Sequence, residues 1–217
     1  MSLKAQQSES TRTTLIGVAR ALFTDPGYAQ TSTEEIVRRA GMTRGALYHQ
    51  YEDKKDLFRA VFESVEQELD DRITRAVLLE TEPVAQMRAG LDAFLDALLD
   101  PTVRRIVVLD GPSVLGLQTW RTIDDNYAFK QVSGALHGLV AARLLADRAV
   151  GALAHLIVGA LNQAALAMAV ADDVQRARLE FGDAFGNMID AMLHLAPAKG
   201  RARAPAGRQA NRAARRR

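Results

Sequence analysis

The chain has 217 residues, of which 48% are hydrophobic and 25% charged, and its formal net charge is +2. These proportions exclude a wholly disordered chain and a collagen-like one. The chain contains no cysteine, which excludes a disulfide framework, a thiolate zinc site and a cysteine nucleophile.

Apolar residues recur mostly at helical spacing and β-branched runs are short, so the sequence predicts an all-α fold. The first helix is expected over about 10–24 and ends at Asp25-Pro26-Gly27. Two short helices are expected at about 33–40 and 44–50. A long fourth helix follows over 54–79, with apolar residues along one face.

The rest of the chain predicts five further helices, at about 84–99, 102–109, 113–143, 148–171 and 173–195. The stretch 113–143 is long and is expected to contain a kink. The segment 104–113 allows two interpretations: a hinge beside a binding pocket, or a plain joint between helices.

Residues 149–171 form an uncharged run of 23 residues, which is long enough to span a bilayer. Nine of the 23 are alanine, which contributes little transfer free energy, and His155, Asn162 and Gln163 are polar. A helix that is apolar on all sides is otherwise buried, in a core or in an oligomer. We therefore expect no membrane span here and place a homodimer interface at this helix.

Residues 31–51 carry the parts of a helix-turn-helix in order. Thr31 and Ser32 each precede a glutamate by three residues, the spacing of a capping box, so a helix is expected to begin there. Gly41 suits the turn that follows. Thr43 suits the N-cap of the second helix.

Leu47 and Tyr51 lie four residues apart in that second helix and are expected to face inward. The residues left facing outward are Arg44, Gly45, Ala46, Tyr48 and His49. An arginine can bind guanine through two hydrogen bonds or neutralise a phosphate. The two small residues allow close approach to a groove, and the tyrosine and histidine offer donors to flanking phosphates.

The segment from about Thr11 to Leu69 resembles the DNA-binding domain of the tetracycline-repressor (TetR) family of bacterial regulators. The residues that carry the resemblance are Ala19, Leu22-Phe23, Gly27-Tyr28, Thr31, Ile36, Ala40-Gly41, the run Gly45-Ala46-Leu47-Tyr48-His49-Gln50-Tyr51, Lys54 and Leu57. The resemblance implies phosphate contacts from Thr33, Thr43, Tyr48, His49 and Lys54, and base or groove contacts from Arg44, Gly45 and Ala46.

The resemblance also implies a division of the chain: a DNA-binding domain over 9–69 with the helix-turn-helix at about 32–51, a ligand-binding and dimerisation domain over 70–197, and a basic tail over 198–217. Dimerisation is expected through the helices at about 148–171 and 173–195. A dimer would set two recognition helices on a palindromic DNA operator. The implied function is a repressor that a small-molecule effector releases from DNA; a DNA-binding dimer without ligand control and an activator stay open.

Few residues in the predicted ligand-binding domain, 70–197, are of a type that suggests contact with a ligand. Candidates for ligand contact are Trp120, Tyr127, His155, Asn162 and Gln163, in a pocket expected to be largely apolar. Each has a structural alternative. The tryptophan is also typical of a core or interface, the histidine of a hydrogen-bonded core residue, and the two amides of a pair across a dimer.

Enzyme motifs are missing from the sequence: it has no phosphate-binding glycine loop, no histidine pair at metal spacing and no Ser/His/Asp signature. An enzyme, a cofactor and a metal site are therefore not expected. The N-terminus is polar and shows no apolar signal core, so the expected location is the cytoplasm.

Charge divides the chain into three regions. Residues 1–60 carry a net +2, residues 61–197 carry −8, and residues 198–217 carry eight basic residues and no acidic one. The weakly basic first region predicts DNA binding through individually placed contacts. The tail has no apolar side chain larger than alanine and is expected to be disordered. It is expected either to add salt-sensitive, sequence-independent affinity or to add nothing.

Overall fold

The computed structural model describes residues 3–194, and within that range every regular element is helical. The α-helices are α1 (Leu3–Leu22), α2 (Thr33–Ala40), α3 (Arg44–Gln50), α4 (Lys54–Leu78), α5 (Pro83–Ala97), α6 (Gly111–Leu115), α7 (Leu117–Asp124), α8 (Lys130–Ala141), α9 (Val150–Ala169) and α10 (Val174–His194). Two π-helical segments join some of them, at Val103–Asp110 and Asp125–Phe129, and a kinked turn at Phe23–Gly27, where Asp25 has extended backbone angles, follows α1. The all-α prediction is confirmed, and the predicted tail over 198–217 lies outside the described residues.

Two predicted helices differ from the structure. The first helix begins at Leu3, seven residues earlier than expected, because its first turns are polar and largely exposed and so carry no apolar periodicity. The predicted helix over 113–143 is divided among α6, α7, a π-helical segment and α8. The first break lies at Gly116, whose φ of +86° is a conformation that glycine adopts without strain.

The N-terminal helices pack on the first half of α4. Four aromatic rings form the centre of this packing, with centroid separations between 5.0 and 6.5 Å, and they belong to Phe23, Tyr28, Phe58 and Phe62. On the outside, Arg20 donates two hydrogen bonds to the carboxylate of Glu68, at 2.5 and 2.9 Å. These contacts tie α1 to α4 along several turns.

Helix α4 continues from the N-terminal helices into the C-terminal bundle without interruption. The domain boundary proposed between residues 69 and 70 falls inside this helix. One hydrophobic core includes residues of α1–α4 together with residues of α5, the π-helical segment Val103–Asp110 and α9. A second core lies among α5, α8, α9 and α10. The two predicted domains therefore share a helix and part of a core.

Among the helices of residues 3–194, α9 alone is long and apolar enough to cross a membrane, judged by length and composition. Eight of its residues are buried against the rest of the protein: Val150, Ala154, Ile157, Val158, Leu161, Ala164, Ala165 and Met168. A core helix passes the same test. Burial of one side against the bundle is the packing expected of such a core helix.

Candidate nucleic-acid interface and cavity

The turn between α2 and α3 is set by three local features. Ser32 caps α2 by accepting a hydrogen bond from the Glu35 N–H at 3.1 Å. Gly41 ends α2 with φ +64°, a left-handed conformation that favours glycine. Thr43 caps α3 by accepting from the Ala46 N–H at 3.2 Å. Helices α2 and α3 therefore have the bounds predicted from the sequence, 33–40 and 44–50.

Helix α3 has one buried side and one exposed side. Leu47 is fully buried and Tyr51, which ends the helix, is 4% exposed, so their predicted inward orientation is confirmed. Of the residues predicted to face outward, four are exposed: Arg44, Gly45, Tyr48 and His49. The fifth, Ala46, is half-buried. The structure thus presents on one side of α3 the residue types predicted for DNA contact.

A polar cluster surrounds the N-terminus of α3. The guanidinium of Arg44 pairs with the carboxylate of Glu34 at 3.1 Å and lies 6.0 Å from the centre of the Tyr48 ring. The pKa of Tyr48 is lowered, first by a hydrogen bond with Thr33 and then by one with Arg44. These contacts bring three of the predicted DNA-contact residues together and orient them before any ligand binds.

Glu34 is a residue of this cluster that the sequence assigned only to a capping box. Its pKa is lowered, first by backbone N–H groups at the start of α2 and then by Arg44, so the carboxylate stays ionised beside the arginine. Because both side chains of the pair are exposed, solvent screens the interaction between them. The sequence signal for this pairing was weak, since it joins two different helices.

Thr31 differs from its prediction as a helix cap. It is 3% exposed, and its hydroxyl donates toward the carbonyl oxygens of Leu22 at 3.1 Å and Gly27 at 2.8 Å. The cap of α2 is Ser32 instead. Thr31 therefore holds the turn that precedes α2 against the end of α1.

Lys54 was predicted to contact phosphate, and the structure gives its ammonium group an internal position. The group donates to the carbonyl oxygens of Tyr28 at 3.0 Å and Thr31 at 2.9 Å. It also lies 4.0 Å from the centre of the Tyr28 ring, within the range of a cation–π contact. Lys54 thus fixes the segment before α2, and its direct phosphate contact stays a prediction.

A cavity of about 270 Å³ lies inside the C-terminal bundle. Its lining comes from α4, α5, the segment Val103–Asp110 and the helices that follow: Glu66, Leu69, Asp70, Ile73, Phe94, Leu98, Val103, Val107, Val108, Pro112, Leu117, Trp120, Tyr127, Ala128, Gln131, Asn162, Ala165 and Leu166. A second cavity of about 90 Å³ shares Phe94, Gln131 and Asn162 with it and extends toward α10. The lining is mostly apolar, as predicted for a pocket.

Three of the five predicted ligand contacts line the larger cavity, namely Trp120, Tyr127 and Asn162. The indole N–H of Trp120 is buried and has no hydrogen-bond partner within the described part of the chain. A donor of this kind is available to a ligand acceptor. The hydroxyl of Tyr127 lies 3.5 Å from the side-chain oxygen of Gln67.

His155 and Gln163 do not line either cavity, so their predicted ligand contacts are not supported by the geometry. His155 is exposed and stacks on Phe129, with ring centroids 4.4 Å apart. Gln163 follows Asn162 in α9, and a rotation of about 100° per residue turns it to solvent. One side of α9 meets the cavity, and these two residues lie outside that contact.

Two carboxylates of the cavity wall, Glu66 and Asp70, were not predicted from the sequence. Glu66 is 4% exposed. It follows Phe62 by four residues and precedes Leu69 by three, which places it on the apolar side of α4. That spacing was the available signal, and a charged residue on an apolar face is uncommon without a function or a partner.

The segment Val103–Asp110 joins the cavity to the N-terminal helices. Val103, Val107 and Val108 line the cavity. At its end, Asp110 pairs with Arg105 at 3.1 Å and accepts a hydrogen bond from the backbone N–H of Tyr28 at 3.2 Å. The segment therefore lies beside the cavity, and its action as a hinge stays a prediction.

Gly27 meets the same segment at close range. Its φ of +110° favours glycine, and the guanidinium of Arg105 occupies the space that a Cβ atom would need. A larger residue would displace the arginine from the turn that leads into α2. The segment Val103–Asp110 and the turn before α2 therefore pack so closely at Gly27 that a side chain there would not fit.

Several large apolar side chains of α9, of its C-terminal cap and of α10 are exposed. They are Leu156, Leu166, Val170, Leu179 and Met188, with exposures between 39% and 73%. Gly159 lies in α9, and no other element of the described chain comes within 4 Å of where its Cβ atom would lie. Exposed apolar side chains, where they are contiguous, are typical of an interaction surface.

Comparison with known families agrees with this architecture. A family model described as "Bacterial regulatory proteins, tetR family" matches residues 15–61. A second, described as "Tetracyclin repressor-like, C-terminal domain", matches residues 84–192. The first covers the helix-turn-helix, and the second covers the bundle that contains the cavity.

Individual proteins show the same similarity. The crystal structure of a TetR-family transcriptional regulator from Pectobacterium atrosepticum has a TM-score of 0.75 and 30% identity, over 86% of this chain and 96% of that one. The HTH-type transcriptional regulator AcrR of Shigella flexneri is 31% identical over 104 residues, 48% of each chain. TtgR of Pseudomonas putida is 35% identical over 104 residues, 46% of this chain and 49% of that one. The matched segment thus spans about half the length of these two curated relatives.

Proposed function

The chain belongs to the TetR family of bacterial transcription regulators, and from this premise we propose that it is a homodimeric repressor that binds a palindromic operator and releases it when a small molecule fills the cavity. The observation that carries the proposal is the exposed side of α3, where Arg44, Gly45 and Tyr48 lie together next to the capped N-terminus of the helix. A DNA-binding regulator is not an enzyme, in agreement with the missing enzyme motifs.

Gly45 gives the strongest argument that this side of α3 meets another molecule. A Cβ atom there would meet only the Thr43 hydroxyl, at an ordinary contact distance of 3.8 Å. The fold therefore has room for alanine, which helices favour over glycine, by ~0.5–1 kcal/mol in a helix interior and by less in the first turn, where Gly45 lies. Close approach of a DNA groove explains a glycine that the fold itself does not require.

The DNA contacts follow from the position of each group. Arg44 is proposed to exchange Glu34 for a guanine edge or a phosphate. Gly45 and Ala46 admit the groove wall. The groups proposed to bind flanking phosphates are the side chains of Thr33, Thr43, Tyr48 and His49, with Lys54 acting mainly through the segment that it holds.

Dimerisation is proposed through the exposed apolar surface of α9 and α10. A second copy of this chain is the expected occupant, because TetR-family regulators act as dimers. A two-fold axis there would set two α3 helices about one helical turn of DNA apart, ~34 Å, which matches a palindrome.

Release by a ligand is proposed to be a shift between two states of the dimer. The cavity shares α4 with the DNA-binding helices, and the segment Val103–Asp110 contacts both the cavity and the turn before α2. A coupling free energy of ~1–3 kcal/mol between the sites is enough to change operator affinity by about five- to 150-fold.

Selection of binding sequences from a random DNA pool tests the proposal, followed by footprinting on the selected DNA. The expected product is a palindrome whose protection disappears in Arg44→Ala and Tyr48→Ala, each weakening binding by ~1–3 kcal/mol. Arg59→Ala is the matched control, because Arg59 is similarly exposed but pairs with Glu63 within α4. Binding that survives both α3 substitutions unchanged would overturn the assignment of α3.

A further inference from the structure

The carboxylate of Glu34 lies between two groups that are proposed to contact DNA. Its Oε1 atom pairs with Nη1 of Arg44 at 3.1 Å, and its Oε2 atom accepts a hydrogen bond from the Thr33 hydroxyl at 3.3 Å. Arg44 is proposed to turn to a guanine edge, and Thr33 to a phosphate. Formation of those DNA contacts therefore takes both partners away from the Glu34 carboxylate.

The ionised form of Glu34 is stabilised by its own helix as well as by Arg44. The largest cause of its lowered pKa is a hydrogen bond from the backbone N–H at the start of α2, and Arg44 comes second. The backbone contribution does not depend on the position of Arg44. An ionised carboxylate that loses its side-chain donors beside DNA needs a new donor, because a charge without one is unfavourable.

The ion pair also fixes where such a donor has to be. Glu34 is the second residue of α2 and Arg44 the first residue of α3, and their side chains are 58% and 62% exposed. Their separation of 3.1 Å is close to the ~3.4 Å between successive nucleotides of one DNA strand. Where Arg44 binds a guanine, the Glu34 carboxylate therefore lies within reach of the neighbouring base pair.

We propose that Glu34 is a specificity-determining residue that reads a base amino group, cytosine N4 or adenine N6, in the major groove next to the guanine bound by Arg44. A carboxylate only accepts hydrogen bonds, and these two amino groups are the donors that bases present in the major groove. Guanine O6 and N7 and thymine O4 are acceptors, so Glu34 repels guanine or thymine on the strand that faces it. The inference rests on the proposed function in taking α3 as the helix that enters the groove.

Selection from a random DNA pool with the full-length protein gives the base preference next to the guanine that Arg44→Ala no longer selects. The unmodified protein is expected to select cytosine or adenine there on one strand, and the selected base identifies which amino group is read. Exchange of that base for guanine or thymine is expected to weaken binding by about fivefold or more. In Glu34→Gln, whose amide donates as well as accepts, the same exchange is expected to weaken binding by less than about twofold. Affinity for the selected operator itself changes little, because the glutamine carbonyl still accepts from the amino group.

Removal of the amino group alone tests the contact at the level of one atom. In a synthetic operator, pyrimidin-2-one replaces the selected cytosine, or purine replaces the selected adenine, and either base lacks the exocyclic amino group. This operator is expected to bind the unmodified protein about threefold or more weakly than the natural one. Glu34→Ala is expected to bind both operators equally. An equal loss in Glu34→Ala and in the unmodified protein would overturn the proposal.

Glu35→Gln is the matched control, because Glu35 is the next residue of α2 and pairs within that helix, with Arg38 at 2.7 Å and Arg39 at 2.6 Å. The control is expected to keep the base preference of the unmodified protein, and an equal relaxation in Glu35→Gln would overturn the assignment to Glu34. A selected palindrome whose base preference is the same in Glu34→Gln overturns this inference and leaves the proposed function standing. A pool in which no sequence is enriched overturns both.

Discussion

The recognition surface on α3 and the cavity in the bundle both place carboxylates where charge matters, but in opposite surroundings. Glu34 is exposed and already pairs with a cation of its own chain, Arg44. Glu66 is buried in a wall whose described lining has no basic residue. Solvent weakens the ion pair of Glu34 with Arg44. Electrostatic interactions of Glu66 are stronger, because water is largely excluded from its surroundings. The same chemical group therefore makes a solvent-screened contact at one site and lies inside the wall of a cavity at the other.

The contact between the two sites gives the largest expected effect. Asp110→Ala removes the partner of Arg105 and the acceptor for the Tyr28 N–H. The variant is expected to bind operator and to bind ligand. In the unmodified protein, ligand is expected to weaken operator binding by about five- to 150-fold, and in the variant this factor is expected to fall toward one. Fluorescence anisotropy of labelled operator with and without ligand measures that factor.

Asp92→Ala is the control for that variant, because it breaks an ion pair with Arg178 on another side of the bundle. The control is expected to keep the full factor. A factor that survives in Asp110→Ala would show that α4 alone transmits the ligand signal.

Gly45→Ala is expected to separate the needs of the fold from those of the DNA. The free energy of unfolding of the variant should be higher by less than the ~0.5–1 kcal/mol typical of a helix interior, because alanine has room and is the better helix former but residue 45 lies in the first turn of α3. Its operator affinity should fall by roughly tenfold or more, since the added methyl moves α3 out of reach of a base contact worth ~1–3 kcal/mol.

Chemical denaturation and anisotropy on the same preparation of Gly45→Ala test both halves of that prediction. A variant that is more stable and binds operator as well as the unmodified protein would contradict close groove contact at this position.

Local features explain why the recognition surface could be predicted from the sequence. Ser32, Gly41 and Thr43 each cap or end a helix within a few residues of their own position, so the amino-acid sequence alone is enough to place α2 and α3. The exposed position of Arg44 follows from the helical period. Its pairing with Glu34 does not, because it depends on how two helices cross.

Tertiary packing explains why the cavity could not be predicted in full. Its wall combines α4, α5, Val103–Asp110 and later helices, whose arrangement no local pattern specifies. Trp120 was found because it is the single tryptophan. His155 lies outside the cavity, since its polarity in an apolar helix could not show which side of α9 meets the pocket. Glu66 carried a usable signal in its spacing from Phe62 and Leu69.

Glu34→Gln is expected to have a smaller effect. The lowered pKa of Glu34 means that it stabilises the folded state above the ordinary value of 4.5 and that this contribution disappears as pH falls through the lowered pKa. In Glu34→Gln, the free energy of unfolding should therefore lack the decrease at acid pH that comes from protonation of Glu34. Its operator affinity should rise slightly, because Arg44 no longer has to leave a carboxylate.

Denaturation of Glu34→Gln between neutral pH and pH 3, with Glu63→Gln as an exposed control on α4, checks the acid dependence. Acid profiles of the variant and the unmodified protein that superimpose would contradict a role for the Glu34 carboxylate in the folded state.

Removal of residues 198–217 is expected to have the smallest effect on specificity. The segment carries eight basic residues and no acidic one. If it binds phosphates, its removal lowers the slope of log affinity against log salt by about 0.9 for each phosphate that it had neutralised, while the selected operator sequence stays the same. Salt titrations of both forms measure the slope. A change in the operator sequence would contradict sequence reading by α3 alone.

The most direct test follows operator anisotropy and Trp120 emission in one sample while a small aromatic compound that changes Trp120 emission is added. The two signals are expected to change with the same midpoint, and operator affinity is expected to fall at least about fivefold when the cavity is full. Saturation of the Trp120 signal with no change in operator binding would contradict ligand control of DNA binding.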